Sequence, residues 1–99
     1  MPLSRFAFIV KAPGYSPNEH AVEISSEQFS TQVIGVSSLA SAIQVAHQLV
    51  ASGVQLIELC GGFSEDDAEQ LRVHIERKIP VGVVAYSKEQ AEELERIFK

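Results

Sequence analysis

The sequence predicts an α/β domain: a single layered unit with a mainly parallel sheet of about four to five strands, three helices and the element order β-β-β-α-β-α-β-α. Two observations carry this prediction. Residues 54–60 form a nearly continuous apolar run between glycines, which is typical of a strand covered on both faces. In the second half of the chain, apolar runs alternate with segments of helical periodicity. That alternation favours right-handed crossovers between parallel strands.

Composition narrows the class of protein. Ninety-nine residues, of which 45% are apolar, suffice for one domain with a core, and we expect it to span residues 1–99. The net charge of −5, without a lysine or arginine cluster, argues against nucleic acid as a partner. One cysteine excludes an intrachain disulfide and a four-ligand zinc pattern. Because no apolar run has membrane length, we expect a soluble cytoplasmic domain without a membrane partner.

Three strands are predicted before the first helix. Residues 5–11 form the first, residues 21–24 form a short, half-exposed edge strand, and the third centres on residues 33–36. We expect the first two to form a meander with the third. The loop between the first two strands, residues 12–20, is marked by Pro-Gly and Ser-Pro and is longer than a hairpin needs. Such loops often serve as lids or contact surfaces.

Each of the three predicted helices begins at a serine. The first opens at Ser37 and Ser38 and ends before Gly53, which occupies the position of a C-terminal cap glycine. The second follows Ser64, runs from about residue 65 to 78 and stops before a proline; the last strand, residues 81–86, leads to a third helix after Ser87. Their apolar stripes are Leu39, Ala42, Ile43, Ala46, Leu49 and Val50; then Ala68, Leu71 and Ile75; then Ala91, Leu94, Ile97 and Phe98.

The carboxyl ends of parallel strands meet at one edge of a sheet, where ligands of open α/β sheets bind. Here those ends offer Lys11, Ser37, residues 58–62 and Tyr86. The loop of residues 13–20 starts from the same edge and could cover it. The sequence therefore predicts a small-molecule pocket around residues 58–63.

Glu58, Cys60 and His20 are the candidate catalytic residues. Glu58 interrupts an apolar strand, so it is either an acid–base catalyst or a carboxylate paired with Lys11, a backbone donor or a neighbouring subunit. Cys60 precedes a helix N-terminus that favours thiolate, although acids in that helix oppose this and packing in the core is the alternative. His20 could act as an acid or base, or be solvated. The three could together bind a metal, but no local spacing supports such a site.

Lys11, Ser37, Gly61, Gly62 and Tyr86 are the candidate ligand-binding residues. The glycine pair could cradle an anion at a helix start, although a structural turn explains the same pair. Neither a dinucleotide fingerprint nor a P-loop is present. Lys11 could clamp an anion or pair with Glu58, and Tyr86 could orient a substrate or cap the core.

Three functions fit these residues, and the sequence identifies no cofactor. The first is a metabolite-binding domain, and the second is a lyase, isomerase or hydrolase that uses Glu58 with Cys60 or His20. The third is a structural or interaction module with Glu58 in an interface ion pair. In each we expect a homo-oligomer, because a short open sheet leaves edges and helix faces to cover.

The runs FAFIV at residues 6–10, IELCGGF at residues 57–63 and PVGVV at residues 80–84 resemble a family of short microbial proteins known as a domain of unknown function. The resemblance covers nearly the whole chain, including a Pro-Gly-Tyr loop that ends in a histidine such as His20. It implies a stand-alone cytoplasmic α/β domain and transfers no activity and no site residue.

Overall fold

The computed structural model describes residues 2–98, which form five strands and three helices. The strands are Arg5–Lys11 (β1), Ala21–Ser25 (β2), Ser30–Val36 (β3), Leu56–Leu59 (β4) and Val81–Val83 (β5), and the helices are Leu39–Ala51 (α1), Glu65–His74 (α2) and Lys88–Phe98 (α3). The strands lie in the order β2-β3-β1-β4-β5, with β2 antiparallel to β3 and all other neighbours parallel. The predicted α/β class, element order and mainly parallel sheet are confirmed.

Strand β1 lies at the centre of the sheet. Ile9 is paired with Ile34 of β3 on one side and with Leu59 of β4 on the other. Among the described strands β2 pairs with β3 alone, so the predicted meander of the first three strands is wrong. The physical reason is burial: Ala7 and Ile9 are fully shielded from water, which a central strand achieves and an edge strand does not.

One face of the sheet carries the hydrophobic core. Ala7 and Ile9 of β1 and Ile57 and Leu59 of β4 are buried and alternate with exposed or half-buried neighbours. Ile34 of β3 is buried on the same face. Helices α1 and α2 contact each other and the sheet, and they supply the opposite wall of this core. Their buried side chains are Ala42, Val45, Ala46, Leu49, Ala68 and Leu71, and Ile75, the residue that caps α2, is buried with them.

The opposite face, called the open face from here on, has no helix packed over it within residues 2–98. Its side chains are those of the alternate positions of each strand: Phe6, Phe8, Val10, Val22, Ile24, Thr31, Val33, Leu56 and Glu58. The predicted strand covered on both faces is therefore wrong, and Glu58 is exposed rather than buried. The cause is the connection between β1 and β3, which is the strand β2 and not a crossover helix, so that no helix is delivered to this face.

The helix ends follow the predicted caps with one exception. Ser38 caps α1, Gly53 after it has φ +93°, and Ser64 and Asp67 form a reciprocal capping box on α2. Helix α2 ends at His74, about one turn earlier than predicted, because Glu76 and Arg77 adopt left-handed φ angles of 57° and 54°.

Helix α3 has no buried residue. It begins as predicted after Ser87, whose Oγ accepts the Gln90 N–H at 3.2 Å. Its apolar stripe, however, is exposed: Leu94 by 45%, Ile97 by 55% and Phe98 by 76%. Within residues 2–98, none of the helices is long and apolar enough to cross a bilayer.

Candidate functional site

The carboxyl ends of the four parallel strands meet at one edge, where Lys11 and Cys60 are held together. The Cys60 Sγ accepts the backbone N–H of Lys11 at 3.3 Å and that of Gly62 at 3.4 Å. The Lys11 Nζ lies 4.0 Å from Asp67 Oδ2 and 5.1 Å from the centroid of the Phe63 ring. Lys11 therefore pairs with the first turn of α2, and the predicted alternative of an ion pair with Glu58 is not formed.

The glycine turn after β4 is occupied by contacts within the chain. A Cβ at Gly61 would lie 2.8 Å from Tyr86 Oη, so the glycine lets the tyrosine ring lie on the turn. A Cβ at Gly62 would lie 3.2 Å from the Lys11 carbonyl oxygen. Both glycines thus have a structural reason, namely close approach. Ser37 is exposed beside the cap of α1.

The loop of residues 12–20 folds over the end of β3. The His20 N–H donates to the Ser16 carbonyl at 2.8 Å, and the His20 carbonyl accepts the Gly35 N–H at 2.7 Å. The Tyr15 ring lies so close to Gly35 that a Cβ there would be 2.6 Å from Tyr15 Cδ2. The loop therefore covers the end of β3, whereas the sequence suggested that it could cover residues 58–63.

His20 has a defined orientation in this loop. Its Nδ1 accepts the Ser16 N–H at 2.9 Å, and its ring centroid lies 5.2 Å from that of Tyr15. Since Nδ1 is an acceptor, the proton of the neutral imidazole resides on Nε2. The exposed His20 side chain thus offers an N–H donor at the edge of the open face.

A hollow of about 310 Å³ lies under this loop on the open face. The apolar side chains of Val10, Val22 and Val33 form much of its wall. Tyr15, Glu19 and His20 also line it. It combines an apolar floor with three polar side chains from one ordered loop.

Glu58 lies in the middle of the open face and away from this hollow. A single row of paired residues crosses the sheet: Val22, Val33, Phe8, Glu58 and Gly82. A second hollow, of about 160 Å³, is lined by Glu58, Gly82, Val83 and Val84. Within the described chain the Glu58 carboxylate makes no ion pair.

The three candidate catalytic residues do not form one cluster. His20 continues the line of β2, which is three strand spacings, or about 14 Å, from β4 and Glu58. Cys60 lies two residues beyond Glu58, at the edge with Lys11. No group of three metal-ligating side chains comes together among residues 2–98. The arrangement suits contacts with separate parts of a bound molecule better than a catalytic dyad of Glu58 and His20.

Sequence reasoning missed Tyr15 and Gly35. The signal that could have identified them is a glycine inside a predicted strand, which often marks the close approach of another group. It also assigned no role to His47 and His74, which line a cavity of about 320 Å³ at the ends of α1 and α2.

These features define a small α/β domain whose mixed sheet is packed on one face and is open and apolar on the other. The chain belongs to a Family of unknown function (DUF6506), whose model matches residues 4–99. This confirms the family resemblance inferred from the sequence motifs. Neither a curated protein nor a solved structure gives a significant match to the chain.

Proposed function

We propose that this protein is a small-molecule binding domain that works as a homo-oligomer, with its site on the open face. The observation that carries the proposal is the hollow of about 310 Å³ under the loop of residues 12–20. That volume falls within the range of about 300–1,000 Å³ usual for ligand sites. Such sites also combine apolar walls with a few polar groups that fix orientation.

The lining of the hollow indicates the chemical class of the ligand. Val10, Val22 and Val33 fit an apolar body, and Tyr15 can stack against a flat one. The His20 Nε2–H donates to an acceptor, and the Glu19 carboxylate accepts from a donor. We therefore propose a small metabolite with an apolar body and one polar end that carries both a carbonyl oxygen, which accepts from His20, and an N–H or O–H group, which donates to Glu19.

Glu58 has a secondary place in this proposal. It is separated from the hollow by β1, with Phe8 directly between Glu58 and Val33 in the same row. Only a ligand that extends over β1 contacts both His20 and Glu58. Lys11, Cys60 and the glycine turn are engaged with one another and with α2, so they support the edge of the site.

Native mass spectrometry of the full chain, compared with its denatured mass, tests the proposal. We expect a discrete excess mass that disappears on denaturation. His20→Ala should reduce the retained fraction strongly, because it removes the donor, and Glu58→Gln should reduce it less. Glu76→Gln is the matched control, since Glu76 lies beyond α2 and lines the cavity at the ends of α1 and α2.

Two results would contradict the proposal. Equal retention in the His20→Ala and Glu76→Gln variants would show that the ligand lies elsewhere. A clean chain mass, together with no binding of the apolar dye 1-anilinonaphthalene-8-sulfonate, would show that the hollow takes no small apolar molecule.

A further inference from the structure

Helix α3 lacks a surface to pack against. Isolated helices shorter than about 12–15 residues are marginal in water, so their stability comes from burying an apolar face. Helix α3 has 11 residues and buries none of them. Its stripe of Leu94, Ile97 and Phe98 is exposed, and α3 makes no extensive contact with another described element of its chain.

Beyond the loop of residues 12–20, the open face of the sheet lacks a cover in the same way. Val22 is 58% exposed and Ile24 is 64% exposed. Val84, which follows β5 and lines the small hollow beside Glu58, is 39% exposed. Between these positions lie half-buried apolar side chains, among them Phe8 and Val33. One chain thus carries both an unpartnered apolar helix and an unpartnered apolar sheet face.

We infer that α3 of a second copy packs across the open face, and that the exchange is reciprocal, which gives a two-fold symmetric dimer. A two-fold interface of this kind uses the same pair of surfaces twice and closes without leaving either exposed. The inference rests on the self-association part of the proposed function and does not depend on the ligand.

The course of the chain before α3 explains why the helix does not cover its own sheet. Tyr86 lies on Gly61 and so holds the connection at the carboxyl edge of the sheet. The molecule measures 41 × 27 × 26 Å, and an 11-residue helix is about 16 Å long. The longest dimension exceeds the other two by about the length of α3, which fits a helix that extends away from the sheet.

The exposed apolar area fits a stable dimer. On α3 and the open face, six apolar side chains are more than a third exposed: Val22, Ile24, Val84, Leu94, Ile97 and Phe98. Together with the half-buried apolar side chains, they expose about as much apolar area as four fully exposed side chains. At about 100 Å² each, this area is about 400 Å². Apolar area is slightly more than half of an interface, so each copy would bury about 700 Å². A standard interface buries about 800 Å² per partner, whereas a pairing of α3 with α3 alone would use less than half of this apolar area.

The dimer would also complete the ligand site. The partner's α3 would lie over the side chains of the row that includes Val33, Phe8 and Glu58. A hollow that is open in one chain would then become an enclosed pocket, which is the usual form of a small-molecule site.

Sedimentation equilibrium of the full chain over a range of concentrations tests the inference. We expect a dimer for the wild type. The double variant Leu94→Gln/Ile97→Gln should weaken dimerisation at least about tenfold, since its two side chains together expose about one full apolar side chain, worth about 1.5–3 kcal/mol when buried. The matched control is Glu89→Gln/Glu92→Gln, which places the same residue type on the polar face of α3 and should leave the dissociation constant unchanged.

A substitution in the sheet distinguishes packing of α3 on the partner's open face from pairing of α3 with α3. Val33→Lys places a charge in the open face and should weaken the dimer as well. If circular dichroism shows loss of fold, Val22→Lys serves instead, because Val22 is paired with Val33 and is largely exposed. A monomer at every concentration would overturn the inference. So would an α3 variant that dimerises like its control, or a sheet variant that dimerises normally, which would indicate α3–α3 pairing. None of these outcomes depends on a ligand.

Discussion

The contact between Tyr15 and Gly35 gives the sharpest prediction about the cover of the candidate site. A Cβ added at Gly35 would lie 2.6 Å from Tyr15 Cδ2, 2.9 Å from Cγ and 3.1 Å from Cβ. Turning the ring about its Cβ–Cγ bond moves Cδ2 but leaves Cγ at 2.9 Å, so it does not fully relieve the clash. Gly35→Ala therefore has to displace the whole Tyr15 side chain or the loop that carries it.

The magnitude follows from two opposing effects. Inserting a methyl group into a filled space costs about 1–3 kcal/mol. Replacing glycine by alanine restricts the unfolded chain, which returns about 0.4–1 kcal/mol where the conformation is compatible. The net prediction is a loss of about 1–2 kcal/mol in the free energy of unfolding. In a domain of this size that loss lowers the melting temperature by about 5–15 °C.

Urea denaturation at fixed protein concentration measures the effect. Gly82→Ala is the matched control, because Gly82 lies in a parallel strand of the same sheet and a Cβ there meets nothing within 4 Å. It should be neutral or stabilising by up to about 1 kcal/mol. In a Tyr15→Ala background, Gly35→Ala should no longer lower the free energy of unfolding, because the clashing ring is absent. The effects of the two substitutions should therefore be strongly non-additive in a double-mutant cycle. Equal stability of the Gly35→Ala and Gly82→Ala variants would show that Tyr15 does not pack closely on Gly35.

Three further predictions concern the elements around the site. Ser64→Ala should destabilise the fold by about 1 kcal/mol in urea denaturation, because it removes the cap of α2. The pKa of Glu69 is lowered, first of all by the hydrogen bond from Arg77, so its contribution to stability exists above pH 4.5 and is lost as the pH falls through the lower folded value. Glu69→Gln should therefore narrow the difference in melting temperature between neutral and acidic solution. Gly61→Ala should change stability by less than about 0.5 kcal/mol in urea denaturation, because its Cβ would meet only the far end of the Tyr86 side chain.

Each of these predictions has a control and a contradicting result. Ser37→Ala removes an exposed serine that is not a cap, and a loss equal to that of Ser64→Ala would contradict the capping account. Glu27→Gln in the turn before β3 is the control for Glu69→Gln. If both substitutions narrow the difference in melting temperature between neutral and acidic solution equally, the hydrogen bond from Arg77 to Glu69 does not cause the pH dependence. A loss above about 2 kcal/mol for Gly61→Ala would show that Tyr86 is rigidly fixed.

Local chemistry was enough to predict most of the elements. The continuous apolar run between Arg5 and Lys11 gave the bounds of β1. Ser38, Ser64 and Gly53 marked helix ends because caps satisfy backbone groups within a few residues. The end of α2 could not be predicted from caps. Glu76 and Arg77 adopt left-handed conformations where the chain turns from α2 toward β5, and neither is a residue type that marks such a turn.

What depends on strand order could not be predicted from spacing. Glu58 interrupts an apolar strand, which suggested a buried charge. The same pattern arises where one face of the sheet is open and the carboxylate is exposed. Only the position of β2 in the sheet decides between a buried and an exposed Glu58. Tyr15 was missed for a related reason: its partner Gly35 is 20 residues away, and a loop sequence does not specify which strand it crosses.

Labelling of the open face in the wild-type chain shows whether α3 of a second copy covers this face. Carbene footprinting with mass-spectrometric readout should be carried out at a dilute and at a high protein concentration. We expect the side chains of Phe8, Val33, Leu94 and Ile97 to be labelled at the low protein concentration and to be protected together at the high one. Val73, which is 57% exposed on α2, should be labelled at both concentrations. Equal labelling of the open face and of α3 at both concentrations would contradict this packing of α3.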